Sequence, residues 1–315
     1  MSELTTNTVS AVIPCFNGGE WLRDAIASIQ AQSLPVLEII VVDDCSTDGS
    51  GDIARDCGVS VVRNAINSGE GYSRNHGIRT ASGTLIASLD SDDLWMPHHV
   101  ETLVNLFENY PFASAAFAAV QRFGLRNELI QGCIPLGEPS DVFWLAFNTW
   151  VHIPTGSMVR KEAFLQVGGF NEKERYAVDY DMWLRLSRDR LFVCTHEVTS
   201  LWRWHDKNQS ASRGRQIEAV YRFREAYIEQ QRAQGDIEFL KEAQRHFPQI
   251  WRRDVGDAWR SRDIRLLRFL SLYAYRNIQG IPRSEMLYWA TRSLIPEAAL
   301  LARDRWRGRA APKIG

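Results

Sequence analysis

Hydrophobic positions in the first hundred residues fall into short unbroken runs separated by helix-spaced stretches. Residues 9–14 (VSAVIP) form an apolar run closed by proline, and 37–42 (LEIIVV) a β-branched run that ends in Asp43-Asp44. Residues 59–63 and 84–89 (TLIASL) read as third and fourth strands, the latter followed at once by Asp90-Ser91-Asp92-Asp93. Between them, residues 20–32 carry Trp21, Leu22, Ala25, Ile26 and Ile29 at helical spacing. Residues 47–57 predict a short helix, and 70–81 another that Ser82-Gly83 ends. Strands that are apolar throughout, alternating with helices, imply an α/β fold: a mostly parallel, Rossmann-like sheet covered by helices on both faces. Ligands of such sheets sit beyond the carboxyl ends of the strands, so the residues just after each strand come first as candidates for chemistry.

From about 110 to 210 the pattern is mixed: a strand over 113–120, an aromatic helix over 141–148, a loop over 152–157, a Gly168-Gly169 turn, a helix over 179–188 and a strand near 192–195. Beyond 211 helix signals dominate, with Leu266, Phe269, Leu270 and Tyr273 on one face and Arg265 and Arg268 on the other. Charge divides at the same place. Residues 211–315 hold 21 Lys and Arg against 12 Asp and Glu, while 1–210 hold 16 against 26. The two parts therefore predict different jobs: a catalytic domain over 1–210, with halves at about 1–110 and 111–210, and a basic helical region over 211–315. Arginines near Tyr275, Tyr288, Trp289 and Trp306 leave two readings open, a helical subdomain facing water or contact with a membrane surface or lipid-diphosphate. No nucleic-acid-binding motif accompanies the charge.

No apolar run has the length needed to span a bilayer, and the start of the chain lacks the basic-then-apolar order of a signal peptide. The five cysteines are odd in number and form no CxxC, so free thiols and a cytoplasmic setting are expected.

Carboxylates follow three of the predicted strands or turns: Asp43-Asp44, Asp90-x-Asp92-Asp93 and Asp179-x-Asp181. One such pair is adequately explained as a helix cap or Asx turn. Three on one edge call for a cation or hydrogen-bond donors to offset their repulsion. A divalent ion bound through one or two carboxylates and substrate phosphates fits, Mn2+ or Mg2+, with Asp92 as its leading ligand and Asp90 near the ion, a ribose or a water. Asp44 is placed to accept a hydrogen bond from a uracil-like base.

Five ordered blocks over about residues 8–212 resemble family 2 glycosyltransferases of GT-A fold. They are PCFNGGEWLRDAIASIQAQSLPVLEIIVVDDCSTDGS, NSGEGYSRNHGIRTASGTLIASLDSDDLWMP (whose DSDD matches the DxD-type metal motif), HIPTGSMVRKEAFLQVGGFNE, VDYDMWLRL and LWRWHDKNQSAS. The resemblance implies a nucleotide pocket lined by Pro14, Phe16 and Asn17, base contacts from Asp44 and Arg74, a metal motif of Asp90 and Asp92, a general base at Asp179, and His205 near the metal or diphosphate. It further implies an inverting transfer from a nucleotide diphosphate sugar, a UDP-sugar first, to a saccharide or lipid-linked saccharide, on the cytoplasmic side of the cell membrane. The family usually has Glu-Asp at the base motif; here Val178 holds the first position. Thr155, Gly156, Asp181 and Trp204 are candidates on the acceptor side, with helix spacing turning Asp181 away from Asp179 and core packing competing for Trp204. Two alternatives stay open. A sugar-phosphate nucleotidyltransferase would need basic residues in the loop after the first strand, and Cys15–Glu20 has none. A non-catalytic nucleotide-sugar or carbohydrate-binding protein would have no use for Asp92, Asp179 and His205 together.

Overall fold

A computed structural model describes residues 7–130, 138–150, 153–206, 208 and 212–295. The chain divides into two compact units, 1–206 and 207–315.

The first unit is built on a ten-stranded sheet of order β3-β2-β1-β4-β9-β6-β10-β5. Its opening half is β1 (Val9–Cys15), α1 (Gly19–Gln30), β2 (Glu38–Asp43), α2 (Ser50–Asp56), β3 (Ser60–Arg63), α3 (Glu70–Thr80) and β4 (Leu85–Ser88). β1 to β4 are mutually parallel. β1 is central because it is apolar on both faces: Ala11, Val12 and Ile13 are all fully buried. α1 covers one face through Leu22, Ala25, Ile26 and Ile29, the helical series expected from the sequence. α3 packs on β1 and β2 at Gly77, where a Cβ would fall 2.5 Å from Val12 Cγ1 and 2.9 Å from Val42 Cγ2.

The second half mixes strand directions. β5 (Leu94–Trp95) leads into α4 (His99–Asn109) and the long β6 (Ala113–Gly124), followed by β7 (Glu128–Ile130), β8 (Ser140–Asp141) and α5 (Phe143–Asn148). A 3-10 turn at Pro154–Gly156 opens β9 (Ser157–Arg160), then α6 (Lys161–Gln166), α7 (Val178–Leu186) and β10 (Leu191–Trp204). β9 lies antiparallel between β4 and β6, and β10 runs parallel to β6. Six strands (β1–β4, β6 and β10) therefore point one way, and the sheet is mostly parallel. β10 extends far past the 192–195 stretch legible in the sequence. Register shifts after Cys194 and Val198 break its alternation, and Glu197 is solvent-exposed, so no period of two marks it. β5 pairs antiparallel with Ser200 and Leu201 of β10, which draws the end of β10 beside the turn after β4.

The second unit contains α8 (Arg213–Gln234), α9 (Ile237–Ser261), α10 (Ile264–Asn277) and α11 (Arg283–Arg292). Asp236 and Asp263 cap α9 and α10, accepting from Phe239 and Leu266 N–H. Leu266, Leu270 and Tyr273 are buried with Tyr221 and Trp251, while Arg265 and Arg268 face outward. Trp306 lies outside the described residues. Among the described residues no helix is long and apolar enough to cross a membrane.

Candidate functional site

The turn after β4 gathers the acids. Asp93 N–H donates to the Asp90 carbonyl at 3.0 Å and closes it. Asp93 is buried and spent on scaffolding: one carboxylate oxygen accepts from Thr155 Oγ1 at 2.5 Å, the other from Arg203 N–H at 2.8 Å. Burial, then the charges of Asp92 and Asp90, push its carboxyl well above the usual range. Arg203 Nε also donates to the Asp92 carbonyl at 2.8 Å. The end of β10 is thus stitched to the turn, and His205 is delivered with it. His205 Nε2 lies 2.8 Å from Asp92 Oδ2, and its ring stacks on Trp21 with centroids 4.3 Å apart. Carboxylate oxygens of Asp90, Asp92 and Asp93 all lie within 4.8 Å of one another.

Arg74 balances this charge from α3. Its guanidinium is fully buried, paired with Glu70 one turn earlier and with Asp90, and 5.6 Å from the centre of the Phe170 ring. An arginine in contact with a base was the expectation; two carboxylate partners are what let this cation leave solvent altogether. Asp90 keeps 33% of its side chain accessible. Burial pushes its carboxyl up to about 7; Arg74 opposes that, while Glu70 and Asp92 add to it. Asp179, the second residue of α7, feels both Glu70 and Arg74, so it belongs to the same charge cluster. Burial raises it to about 6 against a hydrogen bond from Trp150 Nε1 at 2.8 Å.

The Asp43-Asp44 pair splits its work. Asp43 is fully buried, pairs with Arg63 and accepts from Ser46 N–H at 2.8 Å, bracing the β2–α2 loop. Asp44 accepts from Asn64 Nδ2, Ser68 N–H and Gly69 N–H, each at 2.8 Å, fixing the loop that launches α3. Three donors and 3% exposure leave little of this carboxylate for a base. Pro14 is half-buried at the end of β1, and Phe16 beyond it is 52% exposed. Asn17 holds a left-handed φ of 53° and accepts from Thr47 N–H at 2.8 Å. A Cβ at Gly18 would lie 2.7 Å from Ser91 Oγ, so this loop touches the acid turn.

A family model described as "Glycosyl transferase family 2" matches residues 10–168, about half of the chain. The chain belongs to glycosyl transferase family 2. An uncharacterised glycosyltransferase of Rickettsia typhi is 28% identical over 217 residues, covering 67% of this chain and 68% of that protein. The putative teichuronic acid biosynthesis glycosyltransferase TuaG of Bacillus subtilis is 40% identical over 98 residues, covering 30% and 39%. Among solved structures, TarS of S. aureus in complex with UDP-GlcNAc superposes with a TM-score of 0.60 at 19% identity, over 70% of this chain and 66% of that one. The chain thus spans about two thirds of the length of the Rickettsia relative and of residues 1–349 of TarS, but 39% of a longer TarS chain, and it shares the GT-A fold of TarS.

The family match stops before Asp179 and His205, so their placement rests on the fold. Val178 at the first position of the base motif is 3% exposed and part of the core. Of the acceptor-side candidates, Thr155 is fully buried beneath Asp93, and Gly156 is buried in the same 3-10 turn. Asp181 is committed to Arg185 at 2.6 Å, and Arg185 in turn holds the carbonyls of Val167 and Gly169. That carboxylate fastens α7 to the Gly168-Gly169 turn. Trp204 is the last residue of β10 and precedes His205, but the two rings part company: His205 lies on Trp21, away from the neighbours of Trp204. The Trp204 ring packs beside Arg122 (4.7 Å), Arg126 (5.0 Å) and Trp202 (5.4 Å). Sequence reading missed Glu70, whose i,i+4 spacing to Arg74 was a usable signal. It also missed Trp150, which carried none. His152 and residues 131–137 of the 124–140 loop fall outside the described residues.

Proposed function

We propose that this chain is an inverting glycosyltransferase that moves a sugar from a nucleotide diphosphate sugar, a UDP-sugar first, to a hydroxyl of a saccharide or lipid-linked acceptor. One observation carries the reading. Asp92 and His205, 113 residues apart in the chain, meet at 2.8 Å beside Asp90, and Asp179 shares the surrounding charge cluster. The donor set fits a divalent ion such as Mn2+ or Mg2+: hard carboxylate oxygens plus an imidazole, with Asp92 and His205 as ligands and Asp90 alongside. Bound there, such an ion would offset the charge on the donor diphosphate and the departing nucleotide.

The remaining tasks belong to the chain. Asp44 fixes the loop before α3, and Pro14, Phe16 and Asn17 form the nucleotide side. Arg74 holds Asp90 in place and keeps the crowded acids from expelling one another. Asp179 takes the acceptor proton as the hydroxyl attacks the anomeric carbon, and a carboxyl near 6 is mostly ionised at neutral pH yet basic enough for that role. Attack by the acceptor itself opposite the leaving group inverts configuration, with no enzyme carboxylate acting as nucleophile. UDP-GlcNAc in TarS and the teichuronic acid biosynthesis named for TuaG support a UDP-sugar donor and a polysaccharide acceptor.

A panel of nucleotide sugars with Mn2+, read by thermal stabilisation and nucleotide release, tests the reading. Stabilisation by one UDP-sugar and by free UDP, lost in Asp92→Asn, is expected. No response to any nucleotide sugar would sink it. For the second unit we propose contact with an anionic membrane surface on the cytoplasmic face, since Leu272, Tyr275, Leu287, Tyr288 and Leu294 are exposed beside Arg276 and Arg283. Co-sedimentation with vesicles containing phosphatidylglycerol, and none with neutral vesicles, is the expected result.

A further inference from the structure

The loop after α5 holds a residue that no motif marks. We propose that Trp150 is the positioning residue of Asp179: its indole N–H fixes one carboxylate oxygen and favours the ionised form of the group. The proposal rests on reading Asp179 as the base.

Trp150 Nε1 donates to Asp179 Oδ2 at 2.8 Å. An indole N–H is a donor only, so it can satisfy a carboxylate and never compete with it for a proton. The ring is itself held. It meets Tyr180 edge-on with centroids 5.6 Å apart, and Tyr180, 2% exposed, donates its hydroxyl to the Phe147 carbonyl at 3.0 Å. The C-terminal end of α5 is thereby tied to the start of α7, and Trp150 bridges the tie. Ala177 turns the chain into α7 with a left-handed φ of 55°, a conformation unusual for a residue with a Cβ, which sets Asp179 in the first turn of the helix.

The charged neighbours pull in both directions. Burial and Glu70 favour the protonated acid; Arg74 and the Tyr180 backbone N–H favour the carboxylate. The Trp150 hydrogen bond is the largest influence opposing burial. Without it, a group already lifted to about 6 would move further into the range where it is protonated at neutral pH. A hydrogen bond to a charged partner corresponds to a displacement of about one pH unit or more.

The bond supplies its own reporter. In full-length protein labelled with 15N-tryptophan, the indole cross-peak that vanishes in Trp150→Phe belongs to Trp150. This peak should move with pH with a midpoint near 6 in the wild type and stay still in Asp179→Asn. Carboxyl 13C spectra should show the Asp179 midpoint rising by about one unit or more in Trp150→Phe, with partial return in Trp150→Gln, which restores an N–H donor. A Trp150 peak indifferent to pH while Asp179 titrates overturns the proposal, as does an unmoved Asp179 midpoint in Trp150→Phe. Should that variant fail to fold, the wild-type and Asp179→Asn titrations still decide. Failure of the base reading looks different: Asp179→Asn would turn over normally while the indole signal still tracked Asp179 in the wild type.

Discussion

Replacing Arg74 by methionine should destabilise the protein by an amount that grows with pH. The structure places the guanidinium wholly out of water against Glu70 and Asp90. Removing one partner of a buried pair costs about 3–5 kcal/mol, because the other charge stays behind unpaired. Here the remaining group has an escape. Asp90 is already lifted from the usual 3.8 to about 7 with Arg74 present, and without it the carboxyl rises further. The sign follows from proton counting. Between about 4 and 7 the folded chain holds a proton on Asp90 that the unfolded chain releases, so this contribution to stability falls as pH rises through that window. In Arg74→Met the window extends upward, adding up to about 1.4 kcal/mol of loss per pH unit above 7. Water at the accessible third of Asp90 screens part of this, so about 1 kcal/mol per unit is the expected slope difference. Urea denaturation in EDTA at pH 5.5, 7 and 8.5 measures it. The gap between wild type and variant should be smallest at 5.5, where protonated Asp90 no longer needs a cation, and larger by about 1.5 kcal/mol at 8.5. Parallel stability curves across that range would refute the account of Arg74 as the counter-charge of Asp90.

Asp179→Asn should lower turnover about 10²–10⁴-fold while leaving nucleotide affinity, measured by calorimetry, within about twofold. The wild-type rate should fall below a midpoint near pH 6, because the base works only when ionised; a rate flat down to pH 5 contradicts the assignment. Asp92→Asn and His205→Ala should each weaken Mn2+ binding about tenfold or more, seen by proton relaxation, and an unchanged affinity in both would place the ion elsewhere. Gly77→Ala puts a methyl 2.5 Å from Val12 Cγ1, so overpacking of about 1–3 kcal/mol should outweigh the gain of about 1 kcal/mol in helix propensity. A melting temperature raised by that substitution would mean α3 does not seat on the sheet as described.

The sequence made the first half of the sheet plain. β1 and β2 are apolar on both faces, and such runs have few other homes. The acid turn was equally visible, since it directly follows β4. What stayed hidden depends on distance and on partners. Asp43 and Asp44 are chemically alike, yet one braces the loop after β2 and the other the loop before α3; only the donors that surround them make the distinction. Asp181 looked available until Arg185, one helical turn on, was seen to hold it. Arg74 read as a base contact because nothing in its immediate sequence announces burial; the carboxylates that permit it lie 4 and 16 residues away. Trp150 sits in a stretch without periodicity, and no spacing rule connects it to an acid 29 residues later.

The irregular middle of β10 decides which side chain meets Asp92. Cys194 and Ser200 are six residues apart, yet their partners on β6, Phe117 and Val120, are only three apart. The surplus is odd, so inside and outside trade places between the two ends of the strand. Counting alternate positions forward from Phe192 therefore misassigns everything after Ser200. An odd change in length within residues 195–199, carried through the strand, would swing an indole toward Asp92 and turn the imidazole out to the far face. An even change would keep the handedness of the site. In this chain the identity of the partner of Asp92 is written as much in the parity of a bulge as in the histidine itself.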